Sequence, residues 1–293
     1  MFRMKFSFLL LLLYLTGCSL KRLTGNQIPP QADMHIASGI PASDMPCVPI
    51  QPSKQSELSI RENIYSEAGS NFSSENFAKL ETYYNTYRQQ KSRTPSGVWK
   101  LWFFYRGIGS NEPSTKNSEE NWIKIEQKAL RWIKASPKSP APYIFYSQLL
   151  IGRAFHFRGE DVARKVPPEA WKPFHENIEL ARRVLEESKE IASTDPEWYA
   201  TMLDIAPLQS WSKEEVRNLL HEALAKEPYY YGTYFNAASY LLPKWSGSFE
   251  EVKQFATDAT NITRKCEGHS MYARIYWWAI DDNAEFIKEL PDA

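Results

Sequence analysis

Between residues 212 and 248 the chain lays down one apolar stripe, breaks, and lays down another. Val216, Leu219, Leu220, Ala223 and Leu224 recur at helical spacing. Ser212 and Glu215 precede that stripe in the spacing of a capping box, in which the hydroxyl accepts from a free helix-start N–H and the carboxylate reaches back. Pro228 predicts the stop, because proline cannot continue the hydrogen-bond ladder. A second helix is expected through Tyr234, Ala238 and Leu241 as far as Pro243. The same grammar runs along the rest of the chain. Ser59 with Glu62 is a possible cap for a short helix through Ile60 and Ile64. From Ser74 a stripe of Phe77, Leu80, Tyr84 and Tyr87 runs until Pro95 and Gly97. Residues 98–108, VWKLWFFYRGI, are apolar nearly all round and predict a buried helix. A helix from Ser118 carries Trp122, Ile125, Ala129 and Trp132 to Pro137. Ser139 and Pro140 then open one through Tyr143, Ser147 and Leu150. Pro168 opens a helix with Phe174, Ile178, Ala181 and Leu185, in which Pro173 is expected to delay or kink the start. Asp195 and Pro196 open a helix through Trp198, Met202 and Ile205 that ends at Pro207. Ser248 and Glu251 cap Val252, Phe255, Ala256 and Ala259. Residues 270–280 form a last strongly apolar helix, and 283–290 a short closing one.

The pattern predicts an all-α protein with about five antiparallel helix pairs and almost no strand signal. At two junctions a closing proline is followed at the same distances by an aromatic, a small and a large apolar residue: Pro228, Tyr234, Ala238, Leu241, and again Pro137, Tyr143, Ser147, Leu150; at the first, the small Ala223 precedes the proline by five. That order resembles the tetratricopeptide (TPR) junction. The helix-pair starts are 36 to 50 residues apart, whereas a regular TPR array holds near 34. The resemblance therefore implies an irregular TPR-like stack with longer loops. WKLWFFYRGIG, YYYGTYFNAASYLLPKWSGS and YARIYWW together are also similar to a bacterial domain-of-unknown-function family of TPR-like helices, often carried on lipoproteins. That resemblance covers most of 74–280. It implies a fold and a location, and it brings no activity and no catalytic residues.

The first residues carry an address. Arg3 and Lys5 precede a short apolar run at 6–15. A membrane-spanning helix needs roughly 20 residues, so the run fits the core of a secretory signal. Leu15-Thr16-Gly17-Cys18 resembles a bacterial lipobox. The resemblance implies a signal peptide over 1–17, cleavage before Cys18, and lipid, palmitate included, on the Cys18 sulfur and amine. Ser19 in the next position implies sorting to the outer membrane. Several acyl chains at about 0.8 kcal/mol per buried CH₂ make a firm anchor, so the membrane is an expected partner. Residues 18–59 lack aromatics and are rich in proline, which predicts a flexible tether ahead of a helical domain over 60–293. At ~3.1 Å per residue the tether would reach on the order of 120 Å. Export permits a disulfide. With Cys18 taken by lipid, Cys47 and Cys266 can pair or stay reduced, and the sequence leaves both open.

Charge and motifs exclude more than they assign. The chain has 35 basic and 35 acidic residues, so no basic excess points to nucleic acid. None of the five histidines sits in a zinc spacing. There is no nucleophile elbow, Walker loop or dinucleotide glycine pattern. The expectation is a non-enzyme without cofactor or metal. His156 lies near Arg153 and Arg158, a grouping that would suit an anion or a solvated face. Tyr229, Tyr230 and Tyr231 are consecutive, so at least one is expected at the surface. Arg274 lies in an apolar helix and calls for a carboxylate, for which Asp204 is the candidate.

These features suggest a periplasm-facing lipoprotein that receives a protein or peptide partner. Helices of the type begun near Tyr143 and Tyr234 are expected to line the inner face of the stack. A candidate groove follows from Trp99, Tyr105, Arg153, Tyr234, Trp245 and Arg274. One alternative is an immunity-type lipoprotein that neutralises a periplasmic toxin. Another is a peptidoglycan- or glycan-acting enzyme or auxiliary factor, with exposed aromatics stacking on sugars and a carboxylate pair as acid and base.

Overall fold

A computed structural model of the chain describes residues 35–50, 52–111, 119–159, 161, 163–245 and 247–283. The described residues are all-α, with one isolated β-bridge between Arg93 and Trp99. In chain order the helices are α1 (Glu57–Ser73), α2 (Phe77–Gln89), α3 (Lys100–Gly109), α4 (Glu119–Ala135), α5 (Pro140–Arg158), α6 (Pro168–Glu187), α7 (Lys189–Ala192), α8 (Pro196–Leu208), α9 (Lys213–Lys226), α10 (Tyr231–Tyr240), α11 (Phe249–Glu267) and α12 (Ser270–Asp282). Ser118 and most of the expected closing helix at 283–290 lie outside the described residues, as does the segment 1–34 with Cys18.

Local chemistry sets most helix ends where the pattern put them. The Ser212–Glu215 capping box is formed, with Glu215 N–H donating to Ser212 Oγ at 3.2 Å and Ser212 N–H to Glu215 Oε2 at 2.8 Å. Asp195 Oδ1 accepts from Glu197 N–H at 2.8 Å, and Pro196 follows as the first helical residue. Pro173 sits within α6 rather than ahead of it. Further upstream the start differs from expectation. Ser56, not Ser59, caps α1, and α1 runs for 17 residues. Ile60, Ile64, Ala68 and Phe72 form its buried stripe. Ser74, expected to open the next helix, closes this one.

Helix α1, not α2, is the main partner of α3. Glycine makes that contact possible. A Cβ on Gly107 would stand 2.9 Å from Tyr65 Cα, and a Cβ on Gly69 would stand 3.0 Å from the Gly107 carbonyl. The two backbones therefore meet where neither carries a side chain. Beyond α3, the apolar helices α3, α5, α8, α10 and α12 pack one on the next as an inner row. The amphipathic helices α4, α6, α9 and α11 lie against them from outside. The core runs along this row. It holds Trp99, Trp122, Trp132, Trp198, Tyr105 and Tyr234, all essentially buried.

Two straps tie the N-terminal part to the C-terminal helices. The loop between α2 and α3 carries Arg93, which pairs with Glu267 at 2.6 Å with both side chains buried. Lys91 in the same loop meets Glu227 at 2.7 Å. The second strap is the segment expected to be a free tether. From His35 onward it lies on the body, with Ile36 and Ala37 in the core. Ser43 N–H donates to the Ile262 carbonyl at 2.9 Å, and Lys265 Nζ to that of Asp44 at 2.8 Å. A disulfide joins Cys47 to Cys266, with Cα atoms 5.3 Å apart. Two apolar residues, backbone hydrogen bonds and a covalent link offset the ordering entropy that proline-rich composition alone left uncompensated.

The strap also corrects the tyrosine expectation. Tyr229, Tyr230 and Tyr231 are 4 %, 0 % and 2 % exposed, so none is at the surface. Three consecutive side chains can be buried because three different elements cover them. Tyr229 lies under the strap, its hydroxyl 3.4 Å from the Met45 carbonyl. Tyr230 donates to Glu197 of α8, and Tyr231 to Glu267 of α11.

Candidate functional site: a charged recess across the inner helices

Two of the inner helices, α8 and α10, expose few residues. On α8 every residue from Pro196 to Ala206 is buried except Asp204. On α10, only Asn236 and Ser239 are not buried. The corresponding positions on α3, α5 and α12 are Trp102 and Arg106, Gln148, and Trp278 and Asp282. Their contacts bring them into one region. A Cβ on Gly232 of α10 would meet Trp102 Cδ1 at 3.4 Å and Glu197 Oε2 at 3.5 Å, so α3, α8 and α10 converge there. Gln148 Nε2 donates to Glu197 Oε1 at 2.8 Å and lies 3.1 Å from Thr201 Oγ1. Asn236 Nδ2 donates to the Ala200 carbonyl at 2.8 Å. Trp278 Nε1 donates to Ser239 Oγ at 2.9 Å. Lys244 pairs with Asp282 at 2.6 Å on the rim.

Arg106 is the cation of this region. Its guanidinium lies over Trp102, Cζ 3.3 Å from the ring centroid. Its guanidinium makes no hydrogen bond or ion pair among the described residues, and its charged neighbours act on it only at a distance. Burial pulls its pKa down, while Glu197, Tyr65, Tyr230 and Asp204 hold it up. Two carboxylates answer it from α8. Glu197 is buried, and desolvation pushes its pKa up to about 7 against the pull of Arg106 and the Tyr230 hydrogen bond. Asp204 is also raised, first by surrounding protein and then by the like charge of Glu197, with Arg106 opposing. Yet Asp204 is exposed to water. Protein around it and solvent on it together place Asp204 in the wall of an open recess.

The two carboxylates do not make an acid–base pair. Both Glu197 oxygens are taken, one by Gln148 and one by the Tyr230 hydroxyl. Only Asp204 faces a solute. The seven-residue spacing on one helix puts the two groups about 10 Å apart along the axis. Holding a charged ligand is within reach of this arrangement, whereas two-carboxylate hydrolysis needs both groups free at the reacting bond.

The six residues of the sequence-derived groove do not meet. Trp99, Tyr105 and Tyr234 are interior. Trp99 packs edge-on to Tyr230 with centroids 5.3 Å apart, Tyr105 donates to Asp195 at 2.7 Å, and Tyr234 donates to the Pro228 carbonyl at 2.8 Å. Trp245 is half-buried in a short 3₁₀ turn. Arg153 is closed by Glu119 and by Glu126, the latter at 2.7 Å. His156 Nε2 lies 3.7 Å from Glu119, so acids of the chain already answer Arg153 and His156, while the Arg158 guanidinium lies over Trp171 at 5.3 Å. Arg274 does not pair with Asp204. Its Nη2 donates to the Ser96 carbonyl at 2.6 Å and its guanidinium lies over Tyr231 at 4.5 Å. Asp204 belongs with Arg106 instead. The signal that pointed to this site was Asp204 itself, a lone acid in an apolar helix.

A second concavity of about 520 Å³ lies between α6 and the turn after α8. Its polar groups satisfy one another. Gln209 donates to Glu179 at 2.9 Å and accepts from Trp211 Nε1 at 3.1 Å, while Arg182 pairs with Glu186 at 2.7 Å. Among the described residues no group of His, Cys, Asp and Glu is arranged to hold a metal. No protein-family model, no curated protein and no solved structure matches the chain.

Proposed function

We propose that the protein is a lipid-anchored lipoprotein of the outer membrane, facing the periplasm, whose degenerate TPR-like stack binds a protein or peptide partner. On this reading it performs no chemistry of its own. The observation that carries the binding role is the recess. Along five packed helices, a line of Trp102, Arg106, Gln148, Asp204, Asn236 and Trp278 escapes full burial. Stacked helix pairs offer such a line to an extended or helical segment. Leaving an arginine without an acid partner in such a setting costs stability, and a ligand that supplies the acceptor offsets the cost.

The address rests on the lipobox at Cys18 and is supported by the Cys47–Cys266 disulfide, a bond that persists in exported compartments. No helix among the described residues is long and apolar enough to cross a membrane. Cys18→Ala should release the protein from the membrane fraction and abolish labelling by a clickable fatty acid.

The binding role is tested by cross-linking intact cells that carry the affinity-tagged protein or its Arg106→Gln variant. A discrete partner should be recovered with the native protein and lost with the variant, while both melt at the same temperature. Recovery of abundant porins and lipid alone, identical for both proteins, would remove this reading.

A further inference from the structure

The recess carries a charge pattern that narrows its ligand. Arg106 is one fixed cation, flat on an indole, with its donor edge unoccupied by any carboxylate of the described chain. A planar guanidinium held this way suits a carboxylate, which it can grip with two parallel hydrogen bonds. Acids stand around it. Asp204 is open to solvent, Glu197 lies beneath with both oxygens engaged, and Asp282 sits at the rim already paired to Lys244. Tyr65 of α1 and Tyr230 add hydroxyls near Arg106, and Asn236 and Gln148 add amides to the floor. A ligand bearing only negative charge would meet Asp204 and Glu197. One bearing only positive charge would meet Arg106. A ligand with both, side by side, offers an acceptor to Arg106 and a donor to Asp204 together.

We propose that the recess between Arg106 on Trp102 and the solvent-open Asp204 binds a zwitterionic α-amino carboxylate. The carboxylate accepts from Arg106 and the ammonium donates to Asp204, with the Trp102 and Trp278 rings as apolar walls. The chemistry is shared by a free amino acid and by the exposed end of a diamino acid within a peptide. The proposal rests on the recess being the binding site described above, and it names what the site recognises.

Isothermal titration of the full-length protein with the twenty free amino acids, with meso-diaminopimelate and with a soluble peptide containing it tests the assignment. At least one should bind with Kd below about 1 mM. Its decarboxylated and deaminated analogues should each bind at least about tenfold more weakly, because each leaves one charge of the recess unanswered. Arg106→Gln and Asp204→Asn should each weaken the intact ligand by a similar factor, with circular dichroism melts that show both variants folded. A peptide-borne ligand that binds more tightly than free amino acids marks the peptide as the source, and the reverse marks the free form. Binding by no member of the panel, or equal binding by the analogues, overturns the proposal. If none binds while Arg106→Gln still loses a discrete cross-linked partner, the zwitterion falls and the partner reading stands. If amino acids bind but the partner is indifferent to Arg106, the partner reading falls and the zwitterion stands. If neither effect is seen, both fall.

Discussion

Arg106 lies on the face of Trp102 with its Cζ 3.3 Å from the indole centroid, four residues away on the same helix. Other arginines of the interior are used differently. Arg93 is locked to Glu267, Arg153 to Glu119 and Glu126, and Arg274 to the Ser96 carbonyl. Those contacts hold elements together. Arg106 lies on Trp102 with no acid of the described residues paired to it, on the side of the core where α8 exposes its one open acid.

The disulfide should contribute a large share of the body's stability. Cys47 and Cys266 are 219 positions apart, and closing a loop of that length restricts the unfolded chain by about 5.4 kcal/mol in the chain-entropy view. Native-state strain and residual unfolded structure usually reduce the gain. Cys47→Ser with Cys266→Ser should lower the unfolding free energy in guanidinium titrations by about 2–5 kcal/mol. Equal midpoints for oxidised and double-serine protein, or two thiols titratable in the native protein, would contradict the strap.

Gly107→Ala tests the seam between α1 and α3. In an exposed helix that change stabilises by about 1 kcal/mol. Here the added methyl meets the Tyr65 backbone at 2.9 Å and Ala68 Cβ at 3.0 Å. Backbone cannot swing aside, so the helices must part, at a cost of about 1–3 kcal/mol. A lower melting temperature is expected, and a higher one would mean that the two helices do not approach so closely.

Glu197 gives stability a pH dependence of known sign. Its folded pKa is raised to about 7, above that of an unfolded glutamate. Between about pH 4.5 and 7 the native state keeps a proton that the unfolded state has released. Stability therefore falls as pH rises through that window, by on the order of 1–3 kcal/mol for this group. Glu197→Gln keeps an acceptor for Tyr230 and removes the titration. It should lessen the fall in denaturation midpoint between pH 5 and 7.5, the remainder coming from Asp204 and Asp195, which are raised as well, and an unchanged slope would show that Glu197 ionises freely in the fold.

The fold was readable because its helices announce their ends. Ser212, Asp195, Ser139 and Ser248 cap where the pattern put them. The straps were not readable. Residues 35–50 look like tether by composition, and only their fit against Tyr229, Ile262 and Cys266 makes them part of the body. The candidate site was half readable. An acid at 204 in an apolar helix is visible in the sequence, but its partner is not. Arg274 and Arg106 are equivalent as symbols, each a cation among aromatics in an apolar helix. Which one faces Asp204 depends on where α3 and α12 fall along the inner row. Trp99 and Tyr234 misled for a related reason. Aromatics serve cores and binding surfaces alike, and helical period alone does not separate an inner row buried on all sides from one with an open face.

The central claim is that a partner enters the inner recess. Its most direct measurement is site-specific photo-cross-linking in cells, with the reactive side chain placed at position 204 in the recess or at position 172 on the outer face of α6. The account predicts one discrete adduct from position 204 and none from position 172. No adduct from 204, or the same adduct from both positions, would contradict it.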